Sequence, residues 1–238
     1  MKILMIDIGS TNFYFSLPNV SEEELEKYSE NLFDSWASTI DDTLAIEDFS
    51  ISLEIEEGSV KGKGRILATA AAIYIAVGQW GSFCSGVQII KSQIMAVSDF
   101  LIKEAEVKIN QPVGLKRLRR SSGALGKIDV LFKKVQRGDI TPEEAMLRTE
   151  MILSSEDGIP PKLMKEIEDS FIGIPVFHKQ IPLFVPNSPV VPNNGNPLGY
   201  RSVITNSSRN NRNKKDKFRV EIWRGSRGDL RKVKSTKI

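Results

Sequence analysis

Residues 66–90 read ILATAAAIYIAVGQWGSFCSGVQII, and these 25 residues carry no charged side chain, although 26% of the whole chain is charged. The first half of the segment is almost purely apolar, so a core, a partner or a bilayer has to shield it from water. Three of its alanines, Ala68, Ala72 and Ala76, recur at four-residue spacing, which would place them on one face of a helix. The environment that buries this segment therefore largely decides the fold and the function.

The segment and the residues after it predict a hairpin of two hydrophobic helices. The Trp-Gly-Ser sequence at 80–82 favours a break, and the apolar residues beyond it keep a three-four spacing. A repeat of this kind favours packing along another helix. We therefore expect self-association or docking of a partner through the apolar positions of the hairpin. These are Ala68, Ala72, Ala76, Trp80, Val87, Ile90, Ile94, Val97 and Leu101.

A bilayer is the alternative environment for residues 66–90. A spanning helix needs about 20 mostly apolar residues, and the uninterrupted apolar part, Ile66 to Val77, covers only roughly 18 Å at the helical rise. Extending it through Phe83 reaches a marginal length and buries Gln79. Cations before the segment and aromatic residues within it suit the membrane interface. A membrane-associated effector that inserts residues 66–90 is therefore one alternative function.

Residues 1–66 predict an acidic α+β module. Two short strands, 2–8 and 12–17, are expected on either side of a Gly-Ser-Thr turn. Ser21 is followed by three glutamates, a pattern typical of a helix N-cap with an acidic first turn, and this helix would run to about Trp36.

A second β-hairpin is predicted at the end of the same module. Residues 49–56 alternate strictly between apolar and polar side chains, as a half-buried strand does. A turn then leads into a strand over residues 59–66, whose lysines and arginine would oppose the glutamates of the first strand.

The first turn also carries the sequence Asp7-Ile8-Gly9-Ser10-Thr11-Asn12. Over these residues the chain resembles the first phosphate loop of the actin-like sugar kinases and heat-shock ATPases, and the opening of type III pantothenate kinases. The resemblance implies that Asp7 holds hydrated magnesium and that the Gly-Ser/Thr turn offers backbone N–H groups to phosphate. It covers about 12 of the 238 residues, and the family's second Asp-Gly loop has no counterpart. The alternatives are a nucleotide-dependent phosphotransferase and an ordinary hairpin turn.

Beyond the helical hairpin the sequence predicts a small helical unit and then an irregular tail. Helices are expected over 124–137, 141–153 and 161–171, and the prolines after residue 173 favour an extended chain with a possible hairpin near its end, over residues 218–223 and 230–233. The predicted fold class is thus α+β, divided into four segments. They are the acidic α+β module 1–66, the hydrophobic helical hairpin 67–110, the small helical unit 111–173 and the Pro/Asn-rich basic tail 174–238.

Charge is distributed in blocks of alternating sign behind a net charge of +3. Residues 1–60 hold 2 Lys/Arg against 14 Asp/Glu, whereas residues 181–238 hold 13 against 3. Such blocks attract one another or an external partner. The sharpest basic cluster comprises Lys116, Arg117, Arg119 and Arg120, which could bind the phosphates of nucleic acid or of lipid headgroups. The alternatives for this cluster are a solvated linker and a contact with the acidic N-terminal third of the chain.

The sequence argues against several catalytic and metal chemistries. His178 is the single histidine, so a three-histidine metal site cannot be built. Cys84 is the single cysteine, which excludes an intrachain disulfide, and its uncharged surroundings offer no base to activate a thiolate. Glu54 and Glu56 fall on the solvent face of their strand, where salt bridges are expected in place of a metal.

These observations predict a non-enzymatic assembly or adaptor protein, an accessory component of a bacterial or phage-encoded multi-protein system. No cofactor, metal site or catalytic residue is expected, and the partner is expected to be a second copy or another protein. A non-specific nucleic-acid-binding accessory protein is a further alternative. The start of the chain, MKILMIDIGSTN, lacks the pattern of a cleavable signal peptide, so we expect a cytoplasmic protein, with membrane association as the alternative.

Overall fold

The computed structural model describes residues 5–15, 21–57, 61–107, 115–153, 161–177 and 217–238. Within these ranges the chain forms six helices and one antiparallel sheet of six strands, and the predicted α+β class is confirmed. The strands, in the spatial order β4-β1-β3-β2-β5-β6, are β1 (Ile6–Phe15), β2 (Ser50–Glu56), β3 (Lys61–Ala68), β4 (Leu115–Ser121), β5 (Phe218–Arg224) and β6 (Lys232–Lys237). The helices are α1 (Glu22–Thr43), α2 (Ala70–Gly78), α3 (Phe83–Val107), α4 (Gly123–Gln136), α5 (Pro142–Leu153) and α6 (Pro161–Ile172).

The first strand differs from the prediction. In place of two strands around a Gly-Ser-Thr turn, residues 6–15 form one strand that pairs with β3 on one side and β4 on the other, with a register irregularity between Asp7 and Gly9. Gly9 serves close packing here and not a turn, because a Cβ on it would lie 2.6 Å from a methyl group of Ile94 in α3. The turn prediction was wrong because the glycine's partner is distant in sequence.

The predicted hairpin over residues 49–66 and the helix at Ser21 are both confirmed. Strands β2 and β3 pair so that Glu54 lies opposite Lys63 and Glu56 opposite Lys61. The Ser21 hydroxyl accepts a hydrogen bond from the Glu24 N–H, and the Glu24 carboxylate accepts one from the Ser21 N–H. This reciprocal capping fixes the start of α1, which extends past the predicted end to Thr43 because Ala37 and Ile40 also pack in the core.

The helical hairpin over residues 66–101 is only partly as predicted. Ala68 ends strand β3, so it does not share a helical face with Ala72 and Ala76. Thr69 caps α2 through its side chain, which accepts a hydrogen bond from the Ala72 N–H at 3.1 Å. Helix α2 spans nine residues and ends at Gly78, and the break predicted at residues 80–82 separates it from α3. The uncharged run is therefore divided between a strand and two helices.

Helices α1 and α3 cover one face of the sheet and form the main core with it. The Trp36 indole N–H of α1 donates to the Val97 carbonyl of α3 at 3.2 Å. Beneath them, Gly64 of β3 faces Leu101 and Trp36, and a Cβ at this position would lie 2.7 and 3.0 Å from their side chains. The glycine thus lets two large side chains approach the sheet backbone closely.

Residues from distant parts of the chain meet in this sheet. The terminal hairpin that was predicted near the end of the chain is confirmed as β5 and β6, and β5 pairs with β2. The Arg224 guanidinium of β5 donates two hydrogen bonds, at 3.0 and 2.8 Å, to the Asp41 carboxylate of α1. One continuous buried cluster runs from Ile6 to Ile222 through all described segments, and the four-segment division of the sequence stays a prediction.

The small helical unit is confirmed as α4, α5 and α6, which pack in succession beside α3. Strand β4 was missed. The basic cluster at residues 116–120 was interpreted as a linker or phosphate-binding segment, whereas it is an edge strand paired with β1. The Pro/Asn-rich part of the predicted tail, residues 178–216, lies outside the described residues.

Candidate nucleic-acid interface

The face of the sheet opposite α1 and α3 is not covered by any helix in the described ranges, and we call it the open face. Strand alternation and the pairing register place its side chains in three rows across the strands. The first row is Arg117, Tyr14, Lys61, Glu56, Arg219 and Thr236, and the second is Arg119, Asn12, Lys63, Glu54, Glu221 and Lys234. The third is Ser121, Ser10, Arg65, Ser52, Trp223 and Lys232.

The open face is strongly basic. These rows contain eight lysine or arginine side chains and three glutamates. Five of the eight cations lie on β1's two neighbours, strands β3 and β4. The sheet thus gathers cations from residues 61–65 and 117–119 that are more than 50 residues apart in the sequence.

The carboxylates of the open face are already engaged by other side chains. Arg219 Nε lies 3.2 Å from Glu54 Oε1, and its NH2 group hydrogen-bonds Glu56. Lys61 Nζ lies 3.5 Å from Glu56 Oε2. The hydrogen bond to Glu56 raises the pKa of Arg219 above its ordinary value, so this guanidinium is charged at any physiological pH. Arg219 and Lys61 together therefore neutralise Glu54 and Glu56.

Six of the eight cations of the open face form no ion pair with any residue that the structure describes. Two of them, Lys232 and Lys234, lie on β6. The other four lie on β3 and β4 and are Lys63, Arg65, Arg117 and Arg119, of which the last three are exposed. Three of these four cations, Lys63, Arg117 and Arg119, line an open concavity of about 620 Å³. Its lining also includes Asn12, Tyr14, Lys61, Glu54 and Glu56. Glu54, which lies opposite Lys63, is engaged by Arg219. Lys63 is therefore available to an external anion, as are Arg65, Arg117 and Arg119.

Two aromatic side chains accompany the cations. Tyr14 lies between Arg117 and Lys61 in the first row, and Trp223 lies beside Ser52 and Lys232 in the third. Both are half-buried on the open face. An aromatic ring between cations can stack on a nucleic-acid base while the cations contact the flanking phosphates.

The predicted anion-binding cluster is divided between the two faces of the sheet. Alternation along β4 places Arg117 and Arg119 on the open face, while Arg120 turns to the helical side and pairs with Asp99 of α3. The Lys116 side chain lies outside the part of the chain that the structure describes. Sequence reasoning missed Lys63 and Arg65 as functional candidates, although their alternation with glycines already placed them on one side of a strand.

The predicted interaction residues of the helical hairpin pack inside the protein's own core. Eight of the nine are buried, namely Ala68, Ala72, Ala76, Val87, Ile90, Ile94, Val97 and Leu101. Trp80, in the turn between α2 and α3, is 40% exposed. Docking of a partner through the eight buried residues would require the helices to separate, and it stays a prediction.

The segment from Asp7 to Thr11 does not form a phosphate loop. It is a paired strand, in which Asp7 is exposed and Thr11 is buried on the helical side. Its backbone groups pair with β3 and β4, so they are engaged within the sheet. The arrangement that the resemblance to the actin-like ATPases implies is therefore absent from these residues.

Other candidate chemistry finds little support among the described residues. Burial, and then the charge of Asp129, raises the pKa of the Cys84 thiol, which disfavours a reactive thiolate. No group of three or more His, Cys, Asp or Glu side chains in the described ranges is placed to hold a metal ion. His178 lies outside those ranges. None of the described helices combines the length and the apolar character that a membrane crossing requires.

Comparison with known proteins gave no match to a family model, to a curated protein or to a solved structure.

Proposed function

We propose that this protein binds single-stranded nucleic acid on the open face of its sheet. The observation that carries the proposal is the set of four cations, Lys63, Arg65, Arg117 and Arg119, that have no carboxylate partner in the described structure. Clustered like charges repel one another, and a bound polyanion relieves that repulsion while releasing its own counterions.

The spacing of these cations favours a linear polyanion. Residues two apart on a strand are separated by about 6.8 Å, which is close to the distance between neighbouring phosphates of an extended single strand. Lys63 and Arg65 have this spacing on β3, and Arg117 and Arg119 have it on β4. Strand β1 lies between the two pairs, so two lines of cations flank Tyr14 and Asn12. A single strand of nucleic acid that lies along β1 could contact the cations of both β3 and β4.

The aromatic residues favour nucleic acid over an acidic protein as the ligand. Every base has a π-face that can stack on Tyr14 or Trp223, whereas a carboxylate-rich peptide gains nothing from such a platform. The uncovered sheet face also favours unpaired bases, which can stack on its aromatic side chains, over a duplex with its bases enclosed. Binding would depend only weakly on the nucleotide sequence, because the cations contact phosphates and the aromatic rings stack on any base.

The proposal is tested by the salt dependence of binding to a labelled single-stranded homopolymer, followed by fluorescence anisotropy. Four phosphate contacts predict a slope of about −3 in a plot of log K against log salt. The double variant Lys63→Ala/Arg119→Ala should reduce the steepness of that slope by about 1.4, since two contacts are lost. A wild-type protein that does not bind at low salt contradicts the proposal.

A matched control separates a local site from overall charge. Lys162 and Lys165 are exposed on α6, away from the open face, so Lys162→Ala/Lys165→Ala removes the same net charge. This control should bind as the wild type does. If it weakens binding as much as the open-face variant does, the interaction reflects net charge alone and the assignment to the open face is wrong.

A further inference from the structure

The concavity of the open face lies within the first two rows of side chains. Its lining comes from four adjacent strands, β4, β1, β3 and β2, and includes no residue of the third row. Its volume of about 620 Å³ is within the range of roughly 300–1,000 Å³ that is typical of sites for small ligands. The concavity is therefore large enough to receive one nucleotide of a bound strand.

The two ends of the concavity differ in charge. The β4 end carries Arg117 and Arg119, which form no ion pair with a described residue, whereas the β2 end carries Glu54 and Glu56. Three strand spacings of about 4.8 Å each separate these ends. A ligand that is anionic at one end and donates hydrogen bonds at the other is complementary to both ends, and a nucleotide has this character.

The concavity also contains hydrogen-bonding groups that the fold does not use. The Asn12 amide, the Tyr14 hydroxyl and the Glu54 carboxylate form no hydrogen bond with any residue that the structure describes. Arg219 Nε lies 3.2 Å from Glu54 Oε1, but this buried Nε has no hydrogen-bond partner among the described residues, so the contact is an ion pair only. The ion pair offsets the charge of Glu54 and leaves its oxygens able to accept hydrogen bonds.

The two glutamates of the concavity therefore differ in what they can offer to a base. One oxygen of Glu56 accepts a hydrogen bond from Arg219 and the other pairs with Lys61, whereas Glu54 has only the ion pair. Asn12 and Glu54 lie in the same row with one strand between them, about 9.6 Å apart at the backbone. Their side chains can thus contact two neighbouring atoms on the edge of one base.

The carboxylate acceptor discriminates among the four bases. Guanine presents two adjacent donors, N1–H and the N2 amino group, on the edge that pairs with other bases. Adenine and cytosine present an acceptor nitrogen beside their amino group, and thymine or uracil presents a single N–H between two carbonyl oxygens. Each of these three bases would bring an acceptor against the carboxylate, and such an unmatched contact is unfavourable.

We propose that the concavity binds a guanine base of the single strand. The ring stacks on Tyr14, N1–H and the N2 amino group donate to Glu54, and O6 accepts from the Asn12 amide. Arg117 and Arg119 contact the neighbouring phosphates. This inference rests on the proposed nucleic-acid binding and adds a preference for one base at one position to a surface that otherwise contacts phosphates and ring faces.

The test is fluorescence anisotropy of the full chain with labelled oligothymidines that carry a single guanine, adenine or inosine at the centre. Adenine controls for stacking, because it is also a purine. Inosine lacks only the N2 amino group of guanine. We expect the guanine oligonucleotide to bind about fivefold or more tightly than the adenine one, and inosine to lose part of this gain. Equal affinity for guanine and adenine, or for guanine and inosine, overturns the proposal.

Protein variants assign the preference to the two side chains. Glu54→Ala should bind the guanine and adenine oligonucleotides within about twofold of each other, because the acceptor is lost. Asn12→Ala should lower the preference for guanine by about twofold or more, because the hydrogen bond to O6 is lost. An unchanged preference in either variant overturns the proposal.

Glu221→Ala is the matched control for Glu54→Ala. Glu221 lies directly opposite Glu54 in the same row, is 4.0 Å from the same Arg219 and does not line the concavity. Both variants remove one negative charge from the open face, so both should bind oligothymidine more tightly than the wild type does. Only Glu54→Ala should lose the preference for guanine, and an equal loss in Glu221→Ala overturns the assignment to Glu54.

The same measurements distinguish failure of this inference from failure of the proposed function. If no oligonucleotide binds at low salt, the proposed nucleic-acid binding is wrong, and this inference is wrong with it. If all the oligonucleotides bind with equal affinity, the proposed function stands and only the preference for guanine is overturned.

Discussion

The two faces of the sheet come from the same strands but differ in almost every property. On the covered face, β3 contributes Gly62, Gly64 and Ile66, over which large side chains of β1, α1 and α3 pack. On the open face the alternate residues of the same strand are Lys61, Lys63 and Arg65. The covered face stabilises the fold through close packing, whereas the open face keeps charges that the fold does not use. Substitutions on the covered face should therefore lower stability, whereas substitutions on the open face should weaken binding.

The largest expected contrast is between Trp36 on the covered face and Trp223 on the open face. Trp36 is 1% exposed and donates a hydrogen bond to Val97, so Trp36→Ala should lower the free energy of unfolding by about 3–5 kcal/mol. Trp223→Ala on the open face should cost much less stability and should weaken oligonucleotide binding instead. Chemical denaturation with anisotropy on the same samples measures both. A loss of stability from Trp223→Ala as large as that from Trp36→Ala would contradict the division of roles.

Adding the same side chain to each face gives the next contrast. A valine at Gly64 would meet Leu101 and Trp36, so Gly64→Val should destabilise the protein by about 1–3 kcal/mol. Ser52 lies on the open face, and Ser52→Val should change stability by less than about 0.5 kcal/mol. Chemical denaturation tests this pair of variants. If the denaturant m-values match that of the wild type, the shifts in midpoint report the changes in stability. Equal losses for both variants would mean that the open face is packed against another part of the chain.

The covered side of the sheet also contains a buried carboxylate, Asp129 of α4, whose charge should make the stability of the protein depend on pH. Burial tends to raise the pKa of Asp129, but hydrogen bonds from Lys91 (2.5 Å) and Lys133 (2.9 Å) outweigh burial and hold it below the ordinary value of 3.8. A carboxyl whose pKa is lowered by folding contributes stability above its unfolded pKa, and this stability is lost as the pH falls through the folded value.

We therefore expect Asp129→Asn to be less stable than the wild type at neutral pH, with the difference shrinking below about pH 4. Thermal unfolding across the acid range measures it. Asp139→Asn, in the exposed turn after α4, should follow the wild-type curve at each pH. A constant difference between Asp129→Asn and the wild type down to the acid limit would show that the carboxylate's charge is not the cause.

The smallest expected effect concerns the attachment of the terminal hairpin to α1. Arg231 pairs with Glu30 at 3.0 Å and with Asp34, and these side chains are one-third to one-half exposed. Arg231→Ala should therefore cost only about 0.2–1 kcal/mol, and the cost should vanish at high salt. Denaturation at low and high salt measures this. A cost that persists at high salt would indicate packing by the arginine's aliphatic part in place of charge.

Local patterns predicted local structure well. The alternation of residues 49–56, the cap at Ser21 and the helices 124–137, 141–153 and 161–171 were visible because each depends on neighbours in the sequence. Contacts between distant segments were not visible. The role of Gly9 depends on Ile94, and the strand character of residues 115–121 depends on pairing with β1.

The candidate interface was only half accessible to sequence reasoning. The basic cluster at 117–119 was identified from its composition. Its position near Lys63 and Arg65 could not be predicted, because it depends on the strand order β4-β1-β3. The engagement of Glu54 by Arg219 joins residues 165 positions apart. Because this ion pair could not be predicted, the sequence indicated that the glutamates opposite the lysines of β3 would neutralise them.

The pairing of β2 with β5 has a consequence for synthesis on the ribosome. Ile55 lies opposite Val220, and 165 further residues must be translated after Ile55 before that contact can form. At roughly 5–20 residues per second this interval lasts about 8–33 s. During that time one edge of the nascent hairpin is without its final neighbour, which exposes it to pairing with other unfinished chains. When a cell makes many copies of this protein at once, a chaperone bound to the growing polypeptide would therefore protect that edge.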